Sequence, residues 1–356
     1  MSMRRVLLTL LAALVALALA AAWVAAGLKS LDEPLNVSAP IRFKVPPGSR
    51  FAHVAAELAQ RGVIAEPRVW VLYARWKGMA SSIKAGEYEI EPGATPRSLL
   101  SKMVNGQVLL HSFTIVDGWR VLDMLAAMKK NPDITATLPD SPTGSPIGVP
   151  AGLMDRLGSS RAQPGTDAEG QILPETYRFP SGTTDIELLK QSHAALVREL
   201  DSAWASRDPS IPLHGAQELL IVASIVQKES GVPQELAKIA GLYLHRLRIG
   251  MRLQADPTVI YGLGERYDGA LHTVDLHSDG PYNTYTRAGL PPTPIALAGA
   301  AAIDSVAHPE STDALYFVAS PRDDGSHVFS ATLEEQNAEV ARYVAHLRER
   351  VVGESK

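Results

Sequence analysis

The stretch Gly215-Ala-Gln-Glu-Leu-Leu-Ile-Val-Ala-Ser-Ile-Val-Gln-Lys-Glu-Ser-Gly-Val-Pro233 decides how the rest of the chain must be arranged. From Leu219 to Val226 it is apolar except for Ser224. A helix that is apolar on almost every side is buried on almost every side, so other elements must pack around it. Gly231 and Pro233 predict its end. The sequence therefore predicts a mostly helical domain built around this segment.

One acidic residue lies on the buried stripe of this helix. Glu229 follows Val222, Ile225 and Val226 at spacings of seven, four and three residues, so it shares their face. Burial and the negative end of the helix dipole both raise the pKa of a carboxyl group. A carboxyl group that holds its proton near neutral pH can act as a general acid. The alternative is a glutamate that emerges into solvent at a helix end.

The segments after this helix are rich in amide, hydroxyl and aromatic side chains. They include residues 251–262, residues 281–285 and residues 289–295, and we predict them to be loops. Sugars offer polar edges and apolar ring faces, so such a mixture suits a saccharide groove. Turn formation is the alternative explanation for each of these residues taken singly, and for Asp256 before Pro257 we prefer a turn or cap role.

A smaller unit precedes the helical domain. Residues 41–45 alternate like a strand, residues 49–60 and 67–76 have helical spacing with Ser49 and Pro67 at their starts, and residues 88–90 form a second short strand. Thr95 caps a further helix to about residue 104. The β-α-α-β order resembles a LysM-like glycan-binding module, and a generic α+β subdomain fits the pattern as well.

The N-terminus has the pattern of a membrane anchor. After Arg4 and Arg5, residues 6–28 form 23 positions without a charge. A helix of that length is about 34 Å long and can cross the hydrocarbon core. The preceding arginines predict a cytoplasmic N-terminus and an exported remainder. A cleaved signal peptide is the alternative, since small residues that suit a cleavage site are plentiful.

Composition excludes several classes of protein. The chain has 356 residues, with 34 Lys and Arg against 38 Asp and Glu, so it lacks the basic surface that nucleic acid requires. The absence of Cys excludes disulfides, thiol nucleophiles and Cys-ligated metals. Neither a GxxxxGK nor a GxGxxG motif is present, and we expect no cofactor and no metal. Residues 131–170 are rich in Pro, Gly and Ser and predict a long surface loop, and residues 184–206 predict one amphipathic helix.

Several strings together resemble the YceG-like family of endolytic murein transglycosylases. They are Ala223-Ser-Ile-Val-Gln-Lys-Glu-Ser230, Leu253-Gln-Ala-Asp-Pro-Thr-Val-Ile-Tyr-Gly262, Tyr282-Asn-Thr-Tyr285 and Gly289-Leu-Pro-Pro292, with Gly170-Gln-Ile-Leu-Pro-Glu-Thr-Tyr177 before them and residues 316–319 and 327–329 after them. The family motif on the buried helix has Glu and Thr where this chain has Gln227 and Ser230. The family's catalytic acid matches Glu229.

The resemblance implies a lyase that cuts peptidoglycan glycan strands without water. In such an enzyme one glutamate protonates the bridging oxygen between N-acetylmuramic acid and N-acetylglucosamine. It then accepts the proton of the muramic acid 6-hydroxyl, which leaves a 1,6-anhydro end. Glu229 takes that role here, and the expected glycan contacts are Gln254, Tyr282, Asn283, Tyr285 and His327. The alternatives are a glycosidase that uses water, with Glu175 as a spare carboxylate, and a non-catalytic peptidoglycan-binding scaffold.

The predicted architecture is α+β. It consists of a cytoplasmic N-terminus (1–5), a transmembrane helix (6–28), a tether (29–40), a LysM-like subdomain (41–110) and a mostly helical catalytic domain with short strands (111–350). The expected location is the bacterial inner membrane, single-pass, with the catalytic domain in the periplasm. The expected partners are peptidoglycan strands, the membrane and peptidoglycan polymerases. The implied task is cleavage of nascent strands, which terminates their elongation.

Overall fold

The computed structural model describes residues 3–138, 152–157, 168–322 and 324–354. The α+β class is confirmed, with many helices and short two-stranded sheets. The chain divides into two compact units, one of residues 1–111 with 178–182 and one of residues 112–177 with 183–356. Most of the segment predicted as a loop over 131–170 lies outside the described residues. Its described part contains a short helix, α6 (Leu153–Leu157).

The first unit has the predicted β-α-α-β order. Its elements are α1 (Met3–Ser30), β1 (Ile41–Val45), α2 (Phe51–Gln60), α3 (Pro67–Trp76), β2 (Gly86–Ile90) and α4 (Pro96–Asn105). β1 and β2 pair antiparallel, from Ile41 opposite Ile90 to Val45 opposite Gly86. Thr95 caps α4 as predicted, accepting a hydrogen bond from Ser98 N at 3.1 Å. Arg50 is the N-cap of α2, where the sequence suggested Ser49.

Residues 29–40, which the sequence predicts to be a tether, enter the core of this unit. Leu31 and Leu35 are buried with Trp70, whose ring stacks edge-on against Phe51 at 4.6 Å. Nε1 of Trp70 donates to Pro96 O at 2.8 Å. The side chains of α1 at 3–9, 20, 21, 23 and 24 lie outside the described residues, and the predicted membrane segment 6–28 falls partly on them. Among the residues that are described, we find no helix with both the length and the apolarity needed to cross a membrane.

The second unit is mostly helical and surrounds the segment that the sequence singled out. Its elements are α5 (Val121–Lys130), α7 (Asp185–Ser206), α8 (Ala216–Glu229), α9 (Leu236–Arg248), α10 (Asp256–Leu263), α11 (Thr273–His277), α12 (Ala300–Ala307), β5 (Tyr316–Ala319), β6 (His327–Ser330) and α13 (Leu333–Glu354). The strands β3 (Leu110–Thr114) and β4 (Thr176–Pro180) have residues in both units. β3 pairs with β4, and β5 pairs antiparallel with β6.

α8 forms the centre of this unit. Every residue from Leu219 to Val226 is buried, and α7, α9, α10 and α12 pack around the helix. The Ser224 hydroxyl, the polar exception in this run, donates to Ile221 O at 2.7 Å and accepts from Ile295 N at 3.0 Å. The prediction of a helix buried on nearly all sides is confirmed. The prediction of a loop over residues 251–262 is wrong from Asp256 onward, where α10 begins, because Pro257 suits the first turn of a helix.

Candidate active site

α8 ends in a cleft at Glu229. The cleft has a volume of about 280 Å³. Glu229 is partly buried there, as the last residue of the helix. The residues that line the cleft come from α8, α9, α10, β5, α13 and the connecting loops: Glu229, Tyr243, Arg246, Gln254, Asp256, Tyr285, Tyr316, Phe317 and Gln336. Three residues predicted for the site, Glu229, Gln254 and Tyr285, therefore share one cavity.

Tyr243 holds the carboxyl group of Glu229. α9 packs against α8, and the Tyr243 hydroxyl donates a hydrogen bond to Oε1 of Glu229. Tyr243 is 1% exposed, and this burial raises the pKa of its hydroxyl well above the usual value. The hydroxyl therefore keeps its proton and acts as a donor. This contact fixes one carboxyl oxygen on the protein side, and Oε2 is the atom that remains for a substrate.

The pKa of Glu229 is raised to about 7, mainly by burial, which is the direction that the sequence predicted. The hydrogen bond from Tyr243 and the positive charge of Arg246 oppose this rise, and the negative charge of Asp256 adds to it. A carboxyl group with a pKa near neutral can both donate and accept a proton at physiological pH. The group can thus serve successive acid and base steps.

Arg246 connects two of the segments that form the walls of the cleft. Its Nε donates to Leu315 O at 2.7 Å, and its NH1 group donates to Leu253 O. Arg246 is 6% exposed, and burial lowers the pKa of its guanidinium. These bonds join α9 to the residue before β5 and to the residue before Gln254. Arg246 therefore positions two walls of the cleft.

Gln254 has an unusual backbone. Its φ is 49°, in the left-handed region that non-glycine residues rarely adopt. The loop is held by Thr284, whose O accepts from Gln254 N at 3.1 Å and whose hydroxyl accepts from Ala255 N at 3.0 Å. No described residue forms a hydrogen bond with the Gln254 side-chain amide, which lines the cleft. Strained residues of this kind cluster at functional sites.

A second carboxylate lies in the same cleft. Asp256 is the first residue of α10, and the Tyr285 hydroxyl donates to its Oδ1 at 2.5 Å. The Asp256 side chain is exposed, and its charge acts on Glu229. The sequence favoured a turn or cap role for Asp256. The structure gives it the helix-start position and a place in the cleft at once.

Tyr282 and Asn283, also predicted as glycan contacts, lie outside this cleft. The Tyr282 hydroxyl is 2.8 Å from Oγ1 of Thr293, and its ring packs at 4.9 Å from that of Tyr261. The Asn283 amide is 5% exposed and donates to the carbonyls of Asp275, Leu276 and Ser278. Both residues line a separate cavity.

His327, the remaining predicted contact, lies behind the cleft. Its Nδ1 is 2.7 Å from Oε2 of Glu235, and its ring packs edge-on against Phe317 at 5.3 Å. Phe317 lines the cleft, so the contact between His327 and Glu235 supports the β5–β6 hairpin that carries Phe317. Glu175, the spare carboxylate, is exposed and is not among the residues that line the cleft.

Five residues that line the cleft had no predicted role. Tyr243 and Arg246 lie at helical spacing in α9, Tyr316 and Phe317 lie in a strand, and Gln336 lies in α13. The sequence shows residues 316–317 only as part of the family resemblance. No feature of the sequence predicts that Gln336 lies in the cleft.

Within the described residues, no group of three or more His, Asp or Glu side chains could hold a metal ion.

The chain is similar to several known proteins. The model of the YceG-like family matches residues 43–342. An endolytic murein transglycosylase of Bacillus subtilis is 29% identical over 337 residues, which cover 90% of each chain. One from Streptococcus pneumoniae serotype 2 is 25% identical over 84% of this chain and 58% of its own length. A crystal structure of a YceG-like protein from Listeria monocytogenes covers 85% of this chain and 99% of its own at 25% identity, with a TM-score of 0.44.

Proposed function

The chain belongs to the YceG-like family, and we propose that it is an endolytic peptidoglycan lytic transglycosylase with Glu229 as its acid and base. The relatives from B. subtilis and S. pneumoniae are named for this activity. The observation that carries the assignment of Glu229 is its place at the end of a buried helix, partly buried in a cleft, with a pKa of about 7.

The geometry supports a reaction with one proton-transferring group. Protonated Glu229 donates its proton to the bridging oxygen and becomes a carboxylate. The same carboxylate then accepts the proton of the muramic acid 6-hydroxyl as that oxygen bonds to the anomeric carbon. The hydrogen bond from Tyr243 stabilises the carboxylate between the two steps. Glu229 is protonated again at the end, so the cycle closes without water.

Asp256 supplies the negative charge of the cleft while the anomeric carbon becomes positive. Transition states of glycosidic cleavage carry oxocarbenium-like charge. A carboxylate held by Tyr285 stabilises such charge without moving. Its proximity also keeps the proton on Glu229 before the reaction, because a second negative charge there is disfavoured.

A glycosidase that uses water is the second candidate, and the observation that favours it is the same Asp256. Paired carboxylates are the usual equipment of glycosidases, as nucleophile or as base for water. In this cleft Asp256 already accepts a hydrogen bond from Tyr285 at 2.5 Å, which weakens it as either. The name shared by the relatives also favours the transglycosylase.

The further parts of the proposal concern where the enzyme works. We propose that α1 anchors the chain in the inner membrane with the catalytic unit in the periplasm, where it cuts nascent strands beside peptidoglycan polymerases. The charge-free run over residues 6–28 after Arg4 and Arg5 supports this location. We expect a peptidoglycan polymerase to co-purify with the full chain and to be lost when the anchor is exchanged for another membrane helix. Failure of a polymerase to co-purify with the intact chain would contradict the partnership.

The first unit is proposed to bind glycan in a LysM-like manner. Its β-α-α-β order supports this, as does a cavity of about 460 Å³ beside the start of α2, whose lining includes Arg50 and Arg75. We expect purified strands to be retained less by the full chain when both arginines are replaced by glutamine. Unchanged retention would contradict glycan binding at this cavity.

The length distribution of early products tests endolytic cleavage. Full-length protein in detergent is mixed with long, uncrosslinked strands, and the products are separated by size before a tenth of the bonds are cut. An endolytic enzyme gives fragments of intermediate length at once. Release of disaccharide units alone from the start would contradict the proposal.

A further inference from the structure

A second cavity lies in the same unit as the catalytic cleft. Its volume is about 360 Å³, within the range of ligand sites in proteins. One side is formed by the second half of α10 and Arg266 after it, and the other by residues from 275 to 283. This second cavity has no part in the proton transfers assigned to Glu229.

The walls of the second cavity are fixed in place. Three hydrogen bonds from the Asn283 amide hold the loop between α11 and Tyr282, and Oδ1 of Asn283 accepts from Tyr285 N at 2.9 Å. Gly262 allows a close approach, because a Cβ there would lie 3.1 Å from Cβ of Tyr282, closer than an ordinary contact. Because these walls are already ordered, the protein loses little conformational entropy when a ligand binds.

The second cavity and the cleft are connected through two elements. α10 begins at Asp256 in the cleft, and its later residues line the second cavity. With eight residues this helix is about 12 Å long. Tyr285 lines the cleft and bonds to Asn283, which lines the second cavity. The second cavity and the cleft are thus linked by α10 and by the contact between Asn283 and Tyr285.

Charged side chains of both signs line the second cavity. Asp279 forms a bidentate salt bridge with Arg287, at 2.9 and 2.8 Å. Oδ2 of Asp275 accepts a hydrogen bond from His272 N at 2.9 Å, and Oδ1 can accept one from a ligand. Arg266 is exposed and forms no hydrogen bond or ion pair with any described residue. The residues that line the cavity thus include the cationic Arg266, the acidic Asp275 and the aromatic Tyr261 and Tyr282.

We propose that the second cavity binds the peptide branch of the glycan strand, with Arg266 pairing to a peptide carboxylate. The inference rests on the proposed function. In peptide-bearing murein the sugars are uncharged, because the lactyl carboxyl of muramic acid is bound in an amide. Carboxylates and amide N–H groups occur on the peptide, and a guanidinium with a nearby carboxylate matches both. The cavity therefore makes the enzyme distinguish peptide-bearing strands from bare ones.

The test compares two substrates with the full chain in detergent. One is the peptide-bearing strand, and the other is the same strand after an amidase has removed its peptides and the lactyl carboxylates that this exposes have been capped as simple amides. We expect Arg266→Gln to lower the ratio of kcat/KM on peptide-bearing strands to kcat/KM on bare strands about tenfold, mainly through KM. Arg198→Gln, an exposed arginine on α7, is the matched control and should leave the ratio unchanged. An unchanged ratio in Arg266→Gln would overturn the proposal, whereas failure of the native protein to cut either strand would overturn the proposed function.

A binding measurement gives the second readout. The Glu229→Gln chain is titrated with a soluble stem peptide and with the same peptide after its carboxylates are converted to amides. We expect the acidic form to bind at least tenfold more tightly, and we expect Arg266→Gln to remove that difference. Equal affinity for both peptides in a chain that keeps Arg266 would contradict the pairing.

Discussion

The hydroxyl of Tyr243, at the buried face of α9, donates to Oε1 of Glu229 at the end of α8. This contact joins the two helices at the carboxyl group that we propose as the catalytic acid. It stabilises the ionised form of Glu229 and so lowers its pKa, against the effect of burial. The balance leaves the pKa at about 7. Removing either contribution therefore moves the pH dependence of the reaction in a known direction.

Tyr243→Phe should move the alkaline limit of activity to higher pH. The substitution removes a hydrogen bond that lowers the pKa of Glu229, so the proton is held more tightly. In the native chain kcat/KM should fall as the pH rises through about 7, where Glu229 loses its proton. In the variant this limb lies higher, and the maximum is about tenfold lower because the carboxylate intermediate loses its donor. A limb that stays in place would show that the contact does not control the acid.

Asp256→Asn should move the same limb in the opposite direction. The charge of Asp256 raises the pKa of Glu229, so the neutral amide lets the proton leave at lower pH. We expect a loss of about 10²-fold in kcat as well, because the developing positive charge loses its carboxylate. Measured pH profiles of native and variant chains check both effects. An alkaline limb displaced upward would contradict the electrostatic role.

The raised pKa of Glu229 also predicts how stability depends on pH. The pKa is 4.5 in the unfolded chain and about 7 in the folded one, so the folded state binds the proton more tightly between these values. As the pH rises from 4.5 to about 7, the free energy of unfolding therefore falls. The full loss is about 3 kcal/mol.

Glu229→Gln removes this titration, so its stability relative to the native chain should increase by that amount over the same pH range. Denaturant unfolding of both full-length chains at several pH values measures the difference. A difference that does not vary with pH would show that burial does not disfavour the charged form.

The backbone of Gln254 provides a separate prediction. Glycine tolerates φ near 49°, so Gln254→Gly should be more stable than Gln254→Ala by about 1 kcal/mol. Both variants should lose activity, because both remove the amide that lines the cleft. Thermal unfolding and cleavage rates of the two variants separate strain from contact. Equal stability of the pair would show that the conformation is not strained.

The sequence could predict α8 and the raised pKa of Glu229, because both depend on spacing within one segment. Apolar spacing identified α8, and the position of Glu229 on its buried stripe predicted the direction of its pKa shift. Spacing does not show which segments meet. Tyr243 lies among Ile239, Ala240 and Leu244 and has the pattern of a core residue, so its contact with Glu229 was not predictable.

The loops show the same limit. Gln254, Tyr282, Asn283 and Tyr285 have similar polar and aromatic character in the sequence. Folding places Gln254 and Tyr285 in the cleft with Glu229, whereas the Asn283 amide donates to the backbone carbonyls of Asp275 and Ser278. Hydrogen bonds to distant residues determine these positions. Thr284, which holds the Gln254 loop, is some thirty residues away in the sequence.

The mass of the newly formed ends tests the central claim most directly. Uncrosslinked strands are incubated with the full chain, with Glu229→Gln, and with Glu218→Gln as the matched control from the other end of α8. We predict ends lighter by one water than reducing ends, formed by the native chain and by Glu218→Gln, and a loss of at least about 10²-fold in Glu229→Gln. Reducing ends from the native chain, or undiminished cleavage by Glu229→Gln, would contradict the account.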